Sequence, residues 1–151
     1  MGTSRGEHTV EIAATPDQCF ATIVDYESFP EWQDAVDSVK VMERDTDGRG
    51  EIVELHVDAK FRQVRYRLHY HYEPPRRVWW EFLDGDGVEY IDGEYVLEPA
   101  GEGTRATYRL GIDAGIPIPG LIARRLNGQV MKRAAEDLKR EAERRAATRP
   151  R

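Results

Sequence analysis

The sequence predicts an α+β domain: a seven-stranded curved antiparallel sheet wrapped around one long C-terminal helix, with two short helices between the first and second strands. Three observations predict it. Six segments with strand-like alternation fill residues 36–113, separated by turn signals. An apolar row at four-residue spacing runs from Ile122 to Leu138. A helix-start signature follows the first strand at Thr15-Pro16-Asp17-Gln18.

The elements follow in order. Residues 8–14 alternate, with Val10 and Ile12 on one face, and read as a strand after a flexible start at residues 1–7. Thr15 can cap the first helix, Pro16 suits its first position, and Gln18 completes a capping box. That helix carries Phe20, Ile23 and Val24. Ser28-Phe29-Pro30-Glu31 repeats the pattern and opens a very short helix through Trp32. Six strands follow, at about 36–44, 51–59, 62–73, 78–83, 88–98 and 104–113. Their turns fall at Asp45-Thr46-Asp47-Gly48, near Lys60, at Glu73-Pro74-Pro75-Arg76, at Asp84-Gly85-Asp86-Gly87 and at Ala100-Gly101-Glu102-Gly103. Ile116-Pro117-Ile118-Pro119-Gly120 leads into the long helix, with Met131 and Ala135 widening its apolar stripe. The single domain spans 8–146, and 147–151 is expected to fray.

The register follows from charge. With Val57 against Val64, Leu55 meets Tyr66 and Val53 meets Leu68 on one face, while Glu54 meets Arg67 and His56 meets Arg65 on the other. With Tyr95 against Tyr108, Leu97 meets Ala106, and Glu94 meets Arg109 on the opposite face. Lys40 lands on Glu54 in the same way. A one-residue slip would send every charge into the core. The sheet therefore has one wet and one apolar face.

Net charge is −6, which argues against a nucleic-acid partner. The balance is uneven: residues 120–151 hold ten Lys/Arg against four Asp/Glu. Cys19 stands alone, so no internal disulfide forms, which suits a reducing cytoplasm. No signal peptide and no membrane span is expected.

The apolar face is rich in aromatics, and five of the seven tyrosines lie on it. A buried tyrosine needs a partner for its hydroxyl. An apolar pocket with a few polar groups is the usual make-up of a small-molecule site. The expected ligand-binding residues from the sheet are Leu55, Val57, Tyr66, Leu68, Tyr70, Trp80, Phe82, Tyr95 and Tyr108. Leu126 and Val130 join them from the helix. Gly93, inward and opposite Leu110, marks a bulge or a close approach.

Catalytic motifs are not found. Gly101-Glu102-Gly103-Thr104-Arg105-Ala106 fits a dinucleotide loop by letter, but a strand follows it where a helix is required. Asp84 and Asp86 read as a solvated turn. His56, His69 and His71 share one face. Residues two apart along a strand are about 7 Å apart, which argues against a shared metal, so no metal and no cofactor is expected.

Three stretches carry a family resemblance. They are Thr15-Pro16-Asp17-Gln18 followed by Tyr26-Glu27-Ser28-Phe29-Pro30-Glu31-Trp32, Gly93-Glu94-Tyr95-Val96-Leu97, and Gly103-Thr104-Arg105. In this order of elements they resemble the START-like, polyketide cyclase/dehydrase and lipid-transport superfamily, which includes coenzyme Q-binding proteins and the birch-pollen-allergen fold. The resemblance runs from about His8 to Arg145. It implies a helix-grip fold with a hydrophobic cavity between sheet and helix. The expected function is binding or transport of a hydrophobic or aromatic small molecule of polyketide, lipid or quinone type. A polyketide aromatase/cyclase or dehydratase is the alternative. An interaction protein acting through the basic C-terminal helix is a third.

Overall fold

A computed structural model describes residues 3–58, 63–113, 115 and 119–148 of the chain. The turn expected near Lys60, the Ile116-Pro117-Ile118 run and residues 149–151 lie outside the described residues. The elements are β1 (Thr3–Ile12), α1 (Pro16–Ile23), a 3-10 turn (Tyr26–Ser28), α2 (Phe29–Trp32), β2 (Val36–Arg44), β3 (Gly50–Asp58), β4 (Gln63–Glu73), β5 (Arg77–Asp86), β6 (Tyr90–Ala100), β7 (Gly103–Asp113) and α3 (Gly120–Thr148). The strands form one antiparallel sheet in the order β1-β7-β6-β5-β4-β3-β2. The meander from β2 to β7 makes each strand the neighbour of the next, and β1 closes on β7.

The capping box at α1 is formed. The Gln18 amide donates to Thr15 Oγ1 at 3.2 Å, and the Thr15 amide donates to Gln18 Oε1 at 2.8 Å. The second box is not. Ser28 has a helical backbone, φ −86° and ψ −11°, because the 3-10 turn already precedes α2. A cap needs an extended residue there. Its hydroxyl instead donates to the Asp25 carbonyl and accepts from Trp32 Nε1 at 2.9 Å. This holds Trp32, buried edge-on against Phe29, as a plug between the small helices and α3.

The charge-derived register is the observed one. Leu55 pairs with Tyr66, Glu54 with Arg67, Tyr95 with Tyr108, Glu94 with Arg109 and Lys40 with Glu54. Glu54 gathers His56 at 3.0 Å, Arg67 at 2.9 Å and Arg65 at 3.4 Å. Glu94 bridges Arg77 at 2.6 Å and Arg109 at 2.7 Å. Both carboxylates lie on the convex face.

Four expectations are corrected. First, residues 3–7 are not outside the domain. They form the start of β1, paired with β7 from Thr3–Asp113 to Glu7–Arg109. Gly6 breaks the alternation that would have revealed them. Met131 of α3 lies over it, its Cε 2.6 Å from where a Cβ would stand. Second, Asp84 and Asp86 do not form the turn after β5. A register shift between Arg67 and Leu68 carries β5 on to Asp86. Asp84 then lies 3.6 Å from Arg67 and 3.7 Å from Arg65. Third, α3 continues through Thr148, two residues past the expected fray.

The fourth correction concerns the buried face of α3. Leu138 is buried, but Ile122 and Val130 are each 48% exposed and Leu126 is half-buried. Each four-residue step overshoots a 3.6-residue turn by about 40°, so a strict every-four row winds away by about 160° between Leu138 and Ile122. The observed stripe steps by four and then three: Ala123, Asn127, Met131, Ala135, Leu138 and Ala142. It packs on β1, β7 and α1.

Two outcomes follow from this packing. Leu138→Ala should lower stability by about 2–5 kcal/mol through its cavity, whereas Val130→Ala should cost less than about 1 kcal/mol. Paired urea melts would check the contrast. His56 and Arg67 hold the Glu54 carboxyl down to about 2. That stabilisation is full above the unfolded value near 4.3 and fades as pH falls toward 2. The stability gap between the parent and Glu54→Gln should therefore be largest at neutral pH. It should shrink between pH 4.5 and 2, as read from denaturant midpoints at each pH.

Candidate functional site

The concave face supplies the site. Leu55, Leu68, Val78 and Leu97 form its buried base. Above them the aromatic side chains meet through cross-strand pairing. Tyr95 and Tyr108 are direct partners on β6 and β7 and stack with centroids 4.5 Å apart and planes 10° apart. Tyr70 and Trp80 are partners on β4 and β5, 5.6 Å apart. The Trp80 indole also lies 6.1 Å from Tyr95 and 5.9 Å from Tyr108.

Gly93 makes this cluster possible. A Cβ there would come 2.7 Å from Trp80 Cζ2 and 2.5 Å from the Arg109 carbonyl oxygen. The close approach expected of this strand glycine is therefore an indole laid across a bare backbone. Trp80 is 6% exposed, and its Nε1 donor has no hydrogen-bond partner among the described residues.

The tyrosines divide into two sets. Tyr26 and Tyr72 share a 2.6 Å hydrogen bond, and the Tyr72 hydroxyl also donates to the Gly50 carbonyl. This pair ties the 3-10 turn to β4 and the start of β3. Tyr66, Tyr70, Tyr95 and Tyr108 have no hydroxyl hydrogen bond among the described residues. Burial pushes Tyr66 up to about 12 and drives Tyr70, Tyr95 and Tyr108 well above the ordinary phenol range. The phenols add to this by sensing one another, Tyr70 all three of the others. Tyr70, Tyr95 and Tyr108 gather around Trp80, and Tyr66 lies on the same face.

Tyr66 lies deep enough for burial to shift its phenol, yet its side chain keeps accessible surface. The two facts agree if the ring borders an internal space. Val57, Val64 and Phe82 beside it are also half-buried. The reason is the position of α3, which lies along β1 and β7 and makes no comparable approach to β3, β4 or β5.

Among the residues expected to bind a ligand, Leu55, Leu68, Tyr70, Trp80, Tyr95 and Tyr108 are buried on the inner face, and Val57, Tyr66 and Phe82 are half-buried there. Leu126 reaches its edge half-buried. Val130 is turned too far toward solvent to line it, for the winding reason given above.

The sequence reading missed three buried polar residues of α3, Asn127, Asp137 and Glu141. Asn127 Nδ2 donates to the Leu110 carbonyl at 3.2 Å. Asp137 is buried, bonded by Arg140 at 2.7 Å, and its charge adds to burial in raising the Tyr95 phenol. For Asn127 the signal was present in the step-four-and-three spacing with Ala123, Met131, Leu138 and Ala142; Asp137 lies beside that row, next to Leu138. A polar letter in an apolar row hid it.

The wet face holds two further features. An open groove of about 650 Å³ lies where β5 and β6 part, bordered by Arg5, Trp79, Glu81, Asp92 and Arg109. The argument against shared ligation by His69 and His71 is also overturned. Their rings tilt together to 4.4 Å between centroids, since backbone spacing does not limit side chains that lean toward each other. Cys19 is buried, with its thiol pushed up by burial. Several cations of the basic helix are paired, Arg140 with Asp137, Arg144 with Glu141, and Arg145 with Glu141, but only Asp34 on Arg133 and Asp25 on Arg145 come from outside the helix, so most of its positive excess remains.

The seven-stranded antiparallel sheet, the long helix gripped against it and the aromatic inner face together define a helix-grip protein. The chain belongs to the polyketide cyclase/dehydrase and lipid transport family, whose sequence profile matches residues 4–143. Among solved structures it is similar to a START superfamily protein from Mycobacterium smegmatis, with TM-score 0.87 and 21% identity over 93% of this chain and 97% of that one. It is similar to the Zhui aromatase/cyclase from Streptomyces sp. R1128, with TM-score 0.76 and 21% identity over 95% of each chain. TTHA0849 from Thermus thermophilus gives TM-score 0.73 and 25% identity over 96% of this chain and 97% of that one. No curated protein matches the sequence. No helix among the described residues is long and apolar enough to cross a membrane.

Proposed function

We propose that the protein binds or carries a hydrophobic, flat or aromatic small molecule of polyketide, lipid or quinone type in the cleft between α3 and the inner face of β3–β7. The observation that carries this reading is Tyr66: deep in the molecule, above the ordinary phenol range, and still accessible. Apolar burial supplies the affinity. The phenols of Tyr66, Tyr70, Tyr95 and Tyr108 stay protonated at neutral pH and orient oxygen atoms of the ligand as hydrogen-bond donors. Family membership supports the same chemistry.

The test is displacement of an apolar fluorophore by flat aromatic and long-chain compounds, with native mass spectrometry of the protein as purified. Saturable 1:1 binding is expected. Tyr95→Phe, which keeps the ring and removes the hydroxyl, should reorder affinities among oxygen-bearing ligands by about tenfold while moving the melting temperature little. Binding should show no step between pH 6 and 9, because the four phenols titrate above that window. Absence of saturable binding would end this reading.

One observation favours a second reading, an aromatase/cyclase or dehydratase. Buried Asp137 is sensed by the Tyr95 phenol and supplies a carboxylate for proton movement on a poly-β-keto chain. In that case, conversion of a poly-β-keto substrate should be accelerated by the protein. Asp137→Asn should slow it by about a hundredfold with binding retained. Equal rates with and without protein would leave the carrier reading alone.

A further inference from the structure

The convex face carries a second cluster that the cleft does not use. His69 and His71 are alternate residues of β4 and so point to the same side of the sheet. Glu81 of β5 sits directly opposite His69 in the register. His71 Nε2 lies 2.8 Å from Glu81 Oε1. One ligand atom from each of the three side chains falls within 4.8 Å of the others. Glu51 of β3 approaches His69 Nε2 from the other side at 3.4 Å. Two imidazoles and one carboxylate from two adjacent strands therefore share a small volume, with the Glu51 carboxylate bordering His69.

The rings are held in this arrangement. His71 stacks on Trp79 with centroids 5.3 Å apart and planes 19° apart, and Arg77 covers the other end of the stack, 4.1 Å from the Trp79 ring. The His69 ring closes on His71 at 4.4 Å. Such stacking limits imidazole rotation and reduces the entropy an ion must remove.

We propose that His69, His71 and Glu81 form a binding site for a divalent late first-row transition ion of the zinc type. Glu51 or water supplies the fourth donor. Metal–nitrogen bonds of about 2.0–2.1 Å and metal–oxygen bonds of about 2.0–2.2 Å place tetrahedral donors about 3.3–3.5 Å apart. The cluster reaches that spacing by small side-chain rotations within fixed strands. Imidazole donors favour zinc, copper or nickel over calcium or magnesium, which prefer all-oxygen shells. Metal binding at His71 Nε2 takes the place of its hydrogen bond to Glu81 Oε1, with the imidazole proton carried on Nδ1. This site lies on the face opposite the cleft and is independent of the ligand proposed there.

The experiment is calorimetric titration of the chelator-treated full chain with zinc alone, with calcium and magnesium as comparison ions. One zinc per chain with micromolar or tighter affinity is expected, and no heat from calcium or magnesium. His71→Ala and Glu81→Gln should each weaken zinc by at least about tenfold. His56→Ala, on the same face but bonded to Glu54, should leave it unchanged. Cobalt substitution should give the visible absorption of a four-coordinate ion, lost in His71→Ala. Melting curves without metal verify that the variants fold. Absence of saturable zinc binding at micromolar concentration would overturn the proposal. So would affinity indifferent to His71→Ala and Glu81→Gln, or lost equally in His56→Ala.

Discussion

Seven strands spaced about 4.8 Å apart make a sheet about 29 Å wide, whereas a helix with its side chains is about 10–12 Å across. A single helix cannot cover the apolar side of such a sheet, so the sheet must curl and the remainder must be filled or left as space. Here α3 is committed to β1 and β7, with Gly6 removing the side chain that would hold Met131 away. The small helices plug one end with Tyr26, Phe29 and Trp32. What is left over β3–β5 is met by large aromatic rings rather than by a second helix. The proposed cleft rests on that arithmetic and on the aromatic rings of the inner face.

The opposite side of the same strands solves a different problem. Its Glu54 and Glu94 each gather arginines from neighbouring strands, so that charge fixes the alternation which sends tyrosines inward. Pairs exposed to water contribute little singly, about 0–1 kcal/mol. Their effect is on specification: a one-residue slip would bury them, and a two-residue slip would break their pairing. The inner aromatic cluster and the outer ion pairs are two faces of one register.

Much of this was legible in the sequence because antiparallel pairing is local along a meander. Charge complementarity alone aligned β3 with β4 and β6 with β7, and so correctly put Tyr66, Tyr70, Trp80, Tyr95 and Tyr108 on one face. The reading failed where residues acted through space instead of along the chain. Gly6 concealed the start of β1, because its purpose lies in Met131, far along the sequence. The row from Ile122 to Val130 looked buried because four-residue spacing mimics a helical face over two turns and departs from it over four. Asp137 and Asn127 went unseen because polar residues on an inner stripe are defined by neighbours no pattern names. The histidine pair was misjudged because backbone separation bounds neither ring's reach.

Between β5 and β6 the pairing runs from Arg77–Val96 to Trp80–Gly93 and then stops, while β5 continues with β4 and β6 with β7. The sheet is therefore two leaves joined along a short seam. Its amides there have fewer cross-strand partners than those at any other junction, and parting them disturbs neither the α3 stripe nor the β3–β4 ladder. The aromatic floor sits at the spine of this seam, with Trp80 and Gly93 as its last stitch. A guest entering the cleft would strain the wall at its most compliant line, and backbone exchange along 81–86 and 90–92 would register its arrival.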